Sequence, residues 1–255
     1  MKIAVVTGAS SGLGREFVRQ LGDWEGLDEI WAIARREERL RELEKFARVP
    51  VRPLALDLTQ PESIDALSSL LQQERPQILI LVNAAGFGRI GPSRTIPAAD
   101  NGTMIDLNCR AAVAMTTAAL PYLHKGSRIL EICSTAAFQP IPGLNVYAAT
   151  KAFLQSYTKA LHHELLLTGI HVTAVCPYWI KDTEFIPQAQ KTDRGGFRHF
   201  PLASHARTVV RWALADSKLN LWVSTPSPVC MLHRLSAKFI PHCIMVPLLD
   251  LLRRV

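Results

Sequence analysis

A phenol and an ammonium stand four residues apart in Tyr147-Ala148-Ala149-Thr150-Lys151, and a hydroxyl, Ser134, precedes the phenol by thirteen residues. Four-residue spacing puts Tyr147 and Lys151 on one face of a helix, a turn apart. The run 147–167 (YAATKAFLQSYTKALHHELLL) predicts that helix, being rich in Ala and Leu and free of Pro and Gly. A tyrosine titrates near 10 when unperturbed, too high for a base at neutral pH. A neighbouring ammonium favours the phenolate and draws that value down. Ser134 ends the strand-like run 128–133 and is placed to hold a substrate oxygen while Tyr147 moves a proton. The chemistry this suits is proton transfer at a carbonyl or an alcohol. A Tyr-x-x-x-Lys pair alone is a weak signal, so its weight depends on what else the chain carries.

The companion is a glycine-rich turn, Thr7-Gly8-Ala9-Ser10-Ser11-Gly12-Leu13-Gly14, directly after the apolar, β-branched run Lys2–Thr7. Residues 15–21 (REFVRQL) continue as an amphipathic helix with Phe17, Val18 and Leu21 on one side. Strand, glycine turn and helix make the context in which a backbone approaches a pyrophosphate closely and a helix N-terminus offers it free N–H groups. The spacing is Gly-x-x-x-Gly-x-Gly rather than Gly-x-Gly-x-x-Gly. A dinucleotide in such a pocket brings an oxidised nicotinamide whose charge acts with Lys151. Bringing the phenol to about 7 takes roughly 3 units, about 4 kcal/mol. Where a second strand should end, Glu29–Ala34 is followed by Arg35 and Arg36 and by no acid. An acid there would bind the ribose 2′-hydroxyl of NAD, whereas an arginine accommodates the 2′-phosphate of NADP, so NADP(H) is expected over NAD(H).

With these residues in hand, residues 2–183 resemble the compact branch of the short-chain dehydrogenase/reductase family. Three further stretches carry the likeness. Asp57, in Leu54-Ala55-Leu56-Asp57-Leu58, looks like the family's adenine-contacting aspartate. Asn83-Ala84-Ala85-Gly86, after the apolar run 78–82, resembles the family's Asn-Asn-Ala-Gly element with Ala84 in place of the second Asn. Asn108 matches the helical asparagine that holds a proton-relay water. The resemblance implies Asn108, Ser134, Tyr147 and Lys151 as the catalytic set. It implies Gly8, Ser10, Ser11, Gly12, Leu13, Gly14, Arg35, Arg36, Asp57, Leu58, Asn83, Ala84, Gly86, Tyr147, Lys151, Pro177, Ile180 and Thr183 as cofactor contacts. It also implies an α/β chain with one Rossmann-type, doubly wound parallel sheet and helices on both faces.

Two stretches depart from the pattern. After the sixth strand-like run, 172–176, the family usually reads Pro-Gly and then a threonine contacting the nicotinamide amide. Here the order is Pro177-Tyr178-Trp179-Ile180-Lys181-Asp182-Thr183, which puts Thr183 one residue late and leaves Ile180 as a backbone contact. The last 70 or so residues match no family motif. Residues 178–200 hold Tyr178, Trp179, Phe185, Phe197 and Phe200 among polar residues, as a lid over an apolar substrate or an ordinary helical subdomain would. Residues 228–255 are apolar, basic and broken by Pro241 and Pro247. No uninterrupted apolar stretch there reaches the length of a membrane span. Such a tail suits core packing, a second subunit, as in a homodimer or homotetramer, or the surface of a membrane.

Composition excludes several other classes. At 255 residues and 48% hydrophobic the chain suits a single α/β domain, 1–255, and shows no repeat or linker. Its five cysteines are odd in number and contain no Cys-x-x-Cys, which argues against a disulfide framework or a zinc site and for a reducing, cytoplasmic location. His162-His163-Glu164 lacks the partner histidine of a zinc helix, so no metal is expected. The first strand starts at once, without a secretory leader. The net charge of +7 is scattered among acids rather than blocked, so no nucleic-acid partner is expected. The expected function is an NADP(H)-dependent oxidoreductase moving a hydride between nicotinamide and a carbonyl or alcohol of an apolar or amphipathic substrate. The alternatives are a non-catalytic NADP-binding sensor or scaffold, which needs no proton donor, and an epimerase or dehydratase, which needs a larger C-terminal domain.

Overall fold

Short β-branched runs alternate with amphipathic ones along the chain, and each becomes the element its period dictates. A computed structural model describes residues 1–192 and 202–254, with the backbone alone at 248, 249 and 252–254. Phe197 and Phe200 lie outside the described residues. Among those residues the strands are β1 (Lys2–Thr7), β2 (Glu29–Ala34), β3 (Val51–Ala55), β4 (Gln77–Asn83), β5 (Leu123–Ile132), β6 (His171–Val175) and β7 (Val223–Ser224). They form one sheet in the order β3-β2-β1-β4-β5-β6-β7, every pair parallel. The helices are α1 (Gly12–Leu21), α2 (Glu37–Arg41), α3 (Pro61–Glu74), α4 (Ala98–Ile105), α5 (Ala111–Ala119), α6 (Asn145–Leu165), α7 (Phe185–Ala189), α8 (Ala206–Lys218), α9 (Pro228–Phe239) and α10 (His242–Arg254).

Side-chain alternation along the strands sorts the core into two layers. From β1 and β2, Ala4, Val6, Ile30 and Ala32 meet Phe17, Val18 and Leu21 of α1 and Val210 and Ala213 of α8. On the other face Ile3, Val5, Trp31 and Ile33 meet Leu67 and Leu71 of α3, Met115 of α5 and Leu161 of α6. Each Val, Leu, Ile, Phe or Met among them contributes about 1.5–3 kcal/mol when fully buried. The outer strands are short: β3 contains Pro53, and β7 is two residues long.

Strand order reverses between β1 and β4, and the crevice beyond the carboxyl ends of these strands is where such sheets bind ligands. Two elements place side chains there. α6 buries Tyr147, Ala148, Thr150, Lys151 and Leu154 on one helical face, and it begins two residues before the sequence-expected helix. Between α4 and α5 the helix loosens into a π-turn at Asp106–Arg110, which carries Asn108.

Candidate active site

The glycine turn needs its glycines. Gly8 and Gly12 have φ of 67° and 53°, the left-handed region that side chains avoid. A Cβ on Gly8 would stand 2.9 Å from the Ala84 carbonyl, and one on Gly14 would stand 2.3 Å from Gly8 O. Gly14 therefore lets α1 close on the turn and does not itself line the cleft, whereas a Cβ on Gly12 would meet only Thr183, 3.6 Å away. Ser11, the residue before α1, makes no side-chain capping bond, so the first N–H groups of the helix face the cleft without one. A pyrophosphate fits this cradle of glycine backbone and helix N-terminus.

A cleft of about 810 Å³ runs from that turn across the carboxyl ends of the strands. Gly8, Ser10, Ser11, Gly12 and Leu13 line its first end, with Arg35, Arg36, Asp57 and Leu58 alongside. Asp57 accepts hydrogen bonds from the Thr59 N–H at 3.0 Å and the Thr59 hydroxyl at 2.8 Å, which fixes its carboxylate. Ala84 and Gly86 form the floor, and Pro177, Ile180 and Thr183 line the opposite wall.

Ser134, Tyr147 and Lys151 line the middle of the same cleft. Tyr147 is 7% exposed and Lys151 5%, so both act in a largely dry place. Burial pushes the Tyr147 phenol up, and a hydrogen bond with Ser134 partly offsets this. The Lys151 ammonium donates to the Ile132 carbonyl at 2.6 Å and lies 5.8 Å from the centre of the Tyr147 ring. Burial lowers the lysine's own pKa, as it disfavours any buried charge.

Asn108 is committed to structure through its side chain. Its amide donates to Phe87 O at 2.9 Å and to the Thr150 hydroxyl at 3.1 Å, and its Oδ1 accepts from Phe87 N–H at 3.1 Å. It stands behind the cleft wall rather than on it. A Cβ on Gly86 would come within 2.9 Å of Asn108 Oδ1 and 3.5 Å of Lys151 Nζ, so Gly86 is what allows the three to crowd together.

Asn83 departs from its expected role. Its side chain turns away from the cleft, 4% exposed, and donates to Thr116 Oγ1 at 2.9 Å and to Glu131 Oε1 at 2.7 Å. Its neighbours Ala84 and Gly86 line the cleft, so only the backbone of Asn83 is left to face a cofactor. Glu131, which sequence reasoning passed over, is fully buried under Lys151, and desolvation raises its carboxyl to about 7. Two other features were missed. Glu184 and Arg39 pair at the first end of the cleft, and His233 of α9 lines its wall with its ring 5.8 Å from that of Phe138. Arg39 was detectable as the residue one turn beyond Arg36; Glu184 and His233 had no local signal.

At its far end the cleft is apolar. Phe87, Ile141, Leu144, Trp179 and Phe185 line it, and the Phe185 ring sits 5.4 Å from Tyr147 and 6.4 Å from Trp179. Arg89 lines it too, but its charge is answered by Asp100 at 2.6 Å. Among the described residues no group of three or more His, Cys, Asp or Glu could hold a metal ion, and no helix is long and apolar enough to cross a membrane. All five cysteines are free, four of them buried.

The short chain dehydrogenase model matches residues 2–194. The NADP-dependent 3-hydroxy acid dehydrogenase YdfG of Escherichia coli (strain K12) is 34% identical over 230 residues, covering 88% of this chain and 89% of that protein. A short-chain dehydrogenase from Sphingobium yanoikuyae, solved in complex with NADPH, superposes with a TM-score of 0.80 at 28% identity, covering 93% of this chain and 92% of that one. The bulky-bulky ketone specific alcohol dehydrogenase from Comamonas testosteroni superposes with a TM-score of 0.72 at 26% identity, covering 88% of this chain and 85% of that one. The chain belongs to the short-chain dehydrogenase family: it is an oxidoreductase that uses a nicotinamide cofactor on a small molecule.

Proposed function

We propose that this short-chain dehydrogenase is an NADP(H)-dependent carbonyl reductase or alcohol dehydrogenase for a bulky, apolar or amphipathic substrate. The observation that carries the reading is one continuous cleft with the glycine turn and arginines at one end, Ser134, Tyr147 and Lys151 in the middle, and Trp179 and Phe185 at the other. The nicotinamide, when bound, supplies or accepts the hydride. Ser134 holds the substrate oxygen, and Tyr147 passes its phenolic proton to it. The phenol serves as proton donor in reduction, and as phenolate it serves as proton acceptor in oxidation. Lys151 holds the cofactor ribose and, beside the nicotinamide's charge, eases deprotonation of Tyr147. Asn108, fixed by Phe87 and Thr150 in its π-turn, anchors the relay that returns the proton. A sensor or scaffold would have no use for a buried phenol and ammonium on the cleft wall.

Cofactor oxidation over ketones, ketosteroids, retinoids, sugars, hydroxy acids and acyl-thioesters, with NADPH and NADH in parallel, tests the assignment. Turnover of bulky ketones with NADPH is the expected result; turnover confined to small acid-bearing substrates would refute the apolar reading. Arg35, at the cleft and without an ion pair among the described residues, is assigned to the 2′-phosphate together with Arg36. Arg35→Asp is expected to narrow or invert the NADPH over NADH preference, since it replaces an attraction with a repulsion. An unchanged ratio of kcat/KM values leaves Arg36 as the discriminating residue.

Of the segments 178–200 and 228–255, the described residues Tyr178, Trp179, Phe185 and His233 are assigned as walls of the substrate end. Trp179→Ala or Phe185→Ala is expected to raise KM for a large apolar ketone roughly 10- to 150-fold more than for a small one, the equivalent of about 1.5–3 kcal/mol of burial. Equal effects on both substrates would remove the lid assignment. The outer face of α9 exposes Met231, Leu232, Leu235 and Phe239 beside Lys238, and α10 exposes Ile244 and Leu251. That stripe suits a second subunit or an anionic membrane surface, and the free cysteines suit a cytoplasmic protein. Deleting residues 241–255 tests it: unchanged sedimentation and unchanged liposome binding would leave the tail as cleft wall only.

A further inference from the structure

The arginines that follow β2 hold an anion that belongs to the chain itself. Glu184 presents its two carboxylate oxygens to two different guanidiniums: Arg36 Nη1 donates to Oε2 at 3.0 Å, and Arg39 Nη1 donates to Oε1. Arg36 is held against the glycine turn by donating to the Ser10 hydroxyl from Nε at 3.3 Å and Nη2 at 3.2 Å. Arg35 lines the same end of the cleft. Two cations thus close on one carboxylate, beside the Arg35 assigned above to the 2′-phosphate. A phosphate monoester carries more charge than a carboxylate and has three acceptor oxygens, so it matches this cluster better. Arg36 and Arg39 are each 41% exposed and Glu184 is 42% exposed, so the internal pairs are solvent-screened and exchangeable.

Glu184 also occupies a position in the chain from which its release would be felt elsewhere. Thr183, before it, lies against Gly12 of the glycine turn, and Phe185, after it, packs on the Tyr147 ring. Its own carbonyl accepts the Gln188 N–H at 3.1 Å and so starts α7. One tripeptide therefore touches the pyrophosphate cradle, the arginine cluster and the proton-donating phenol.

We propose that Glu184 is an internal stand-in for the cofactor's 2′-phosphate. In the cofactor-free enzyme it pins the segment Thr183 to Ala189 over the cleft, and it gives up Arg36 and Arg39 when a phosphate monoester arrives. The proposal rests on the NADP(H) reading of this subsite. NAD(H), lacking that phosphate, leaves the latch closed, so the segment that carries Phe185 answers to one cofactor and not to the other.

The test uses adenosine 2′,5′-bisphosphate and adenosine 5′-monophosphate, titrated calorimetrically into the wild type and Glu184→Gln. The variant is expected to bind the bisphosphate about three- to tenfold more tightly, having lost a competitor, and the monophosphate equally well. In the wild type, hydrogen exchange at the amides of 183–189 is expected to speed up with the bisphosphate and not with the monophosphate. Bisphosphate binding that is unchanged or weaker in the variant overturns the proposal, because Glu184 then aligns the arginines instead of competing for them. Exchange that the bisphosphate does not move also overturns it. A wild type that prefers the bisphosphate while the variant behaves identically sinks the latch alone. A wild type with no preference sinks the NADP(H) reading, and the latch with it.

Discussion

Replacing Tyr147 by Phe lowers turnover at least 100-fold while cofactor affinity stays within about threefold of the wild type. The phenol hydroxyl hydrogen-bonds Ser134 on the cleft wall, and removing it leaves the ring in its packing against Phe185. Because the ring remains, the loss falls on kcat rather than on binding. Lys151→Ala contrasts with this, damaging turnover and cofactor affinity together, since its ammonium serves both. Single-turnover rates and fluorescence titration with NADPH separate the two effects. Retention of more than a tenth of wild-type turnover in Tyr147→Phe would overturn the assigned mechanism.

The second large effect is on stability and comes from Glu131. Its folded-state carboxyl lies near 7 against an ordinary value of 4.5, raised by burial and partly offset by hydrogen bonds from Asn83 and Thr116. Below about pH 4.5 both folded and unfolded chains hold this proton, and the fold suffers no loss. As pH climbs towards 7 the unfolded chain releases the proton while the folded chain keeps it, so stability falls and then levels off above 7. The full loss is roughly 3 kcal/mol. Glu131→Gln cannot titrate and keeps an acceptor for Asn83 and Thr116, at the expense of about 1 kcal/mol for an amide N–H without a partner. At pH 8 the variant is expected to melt on the order of 5 °C above the wild type, and at pH 5 that advantage disappears. A variant that is less stable at both pH values would mean that Glu131 is ionised and paired with Lys151 instead.

What could be read from the sequence depended on how local its cause is. The glycine turn was legible because Gly8, Gly12 and Gly14 meet backbone demands that no other residue satisfies, and those demands leave a mark in consecutive positions. Tyr147 and Lys151 were legible because helical period alone puts them on one face. The direction of the Asn83 side chain was not legible, because a motif position says nothing of which way a side chain turns. Its partners Thr116 and Glu131 lie 33 and 48 residues away, where no local pattern points to them. Glu184 stayed hidden for the same reason: the pairs with Arg36 and Arg39 span 148 and 145 residues. The far end of the cleft was legible only as composition, because Trp179 and Phe185 become a wall only once the chain after β6 folds back across Tyr147.

The outer strands of the sheet carry one more consequence. A strand edge with open N–H and C=O groups is a template for another chain. On one side of this sheet Pro53 removes a donor from β3, and Arg52 lies across Trp31 with its charge paired to Glu74. On the other side β7 offers only two residues of ladder. Among the described residues neither margin presents a long, regular run of open ladder groups, so each edge is a poor template for a continuous intermolecular sheet.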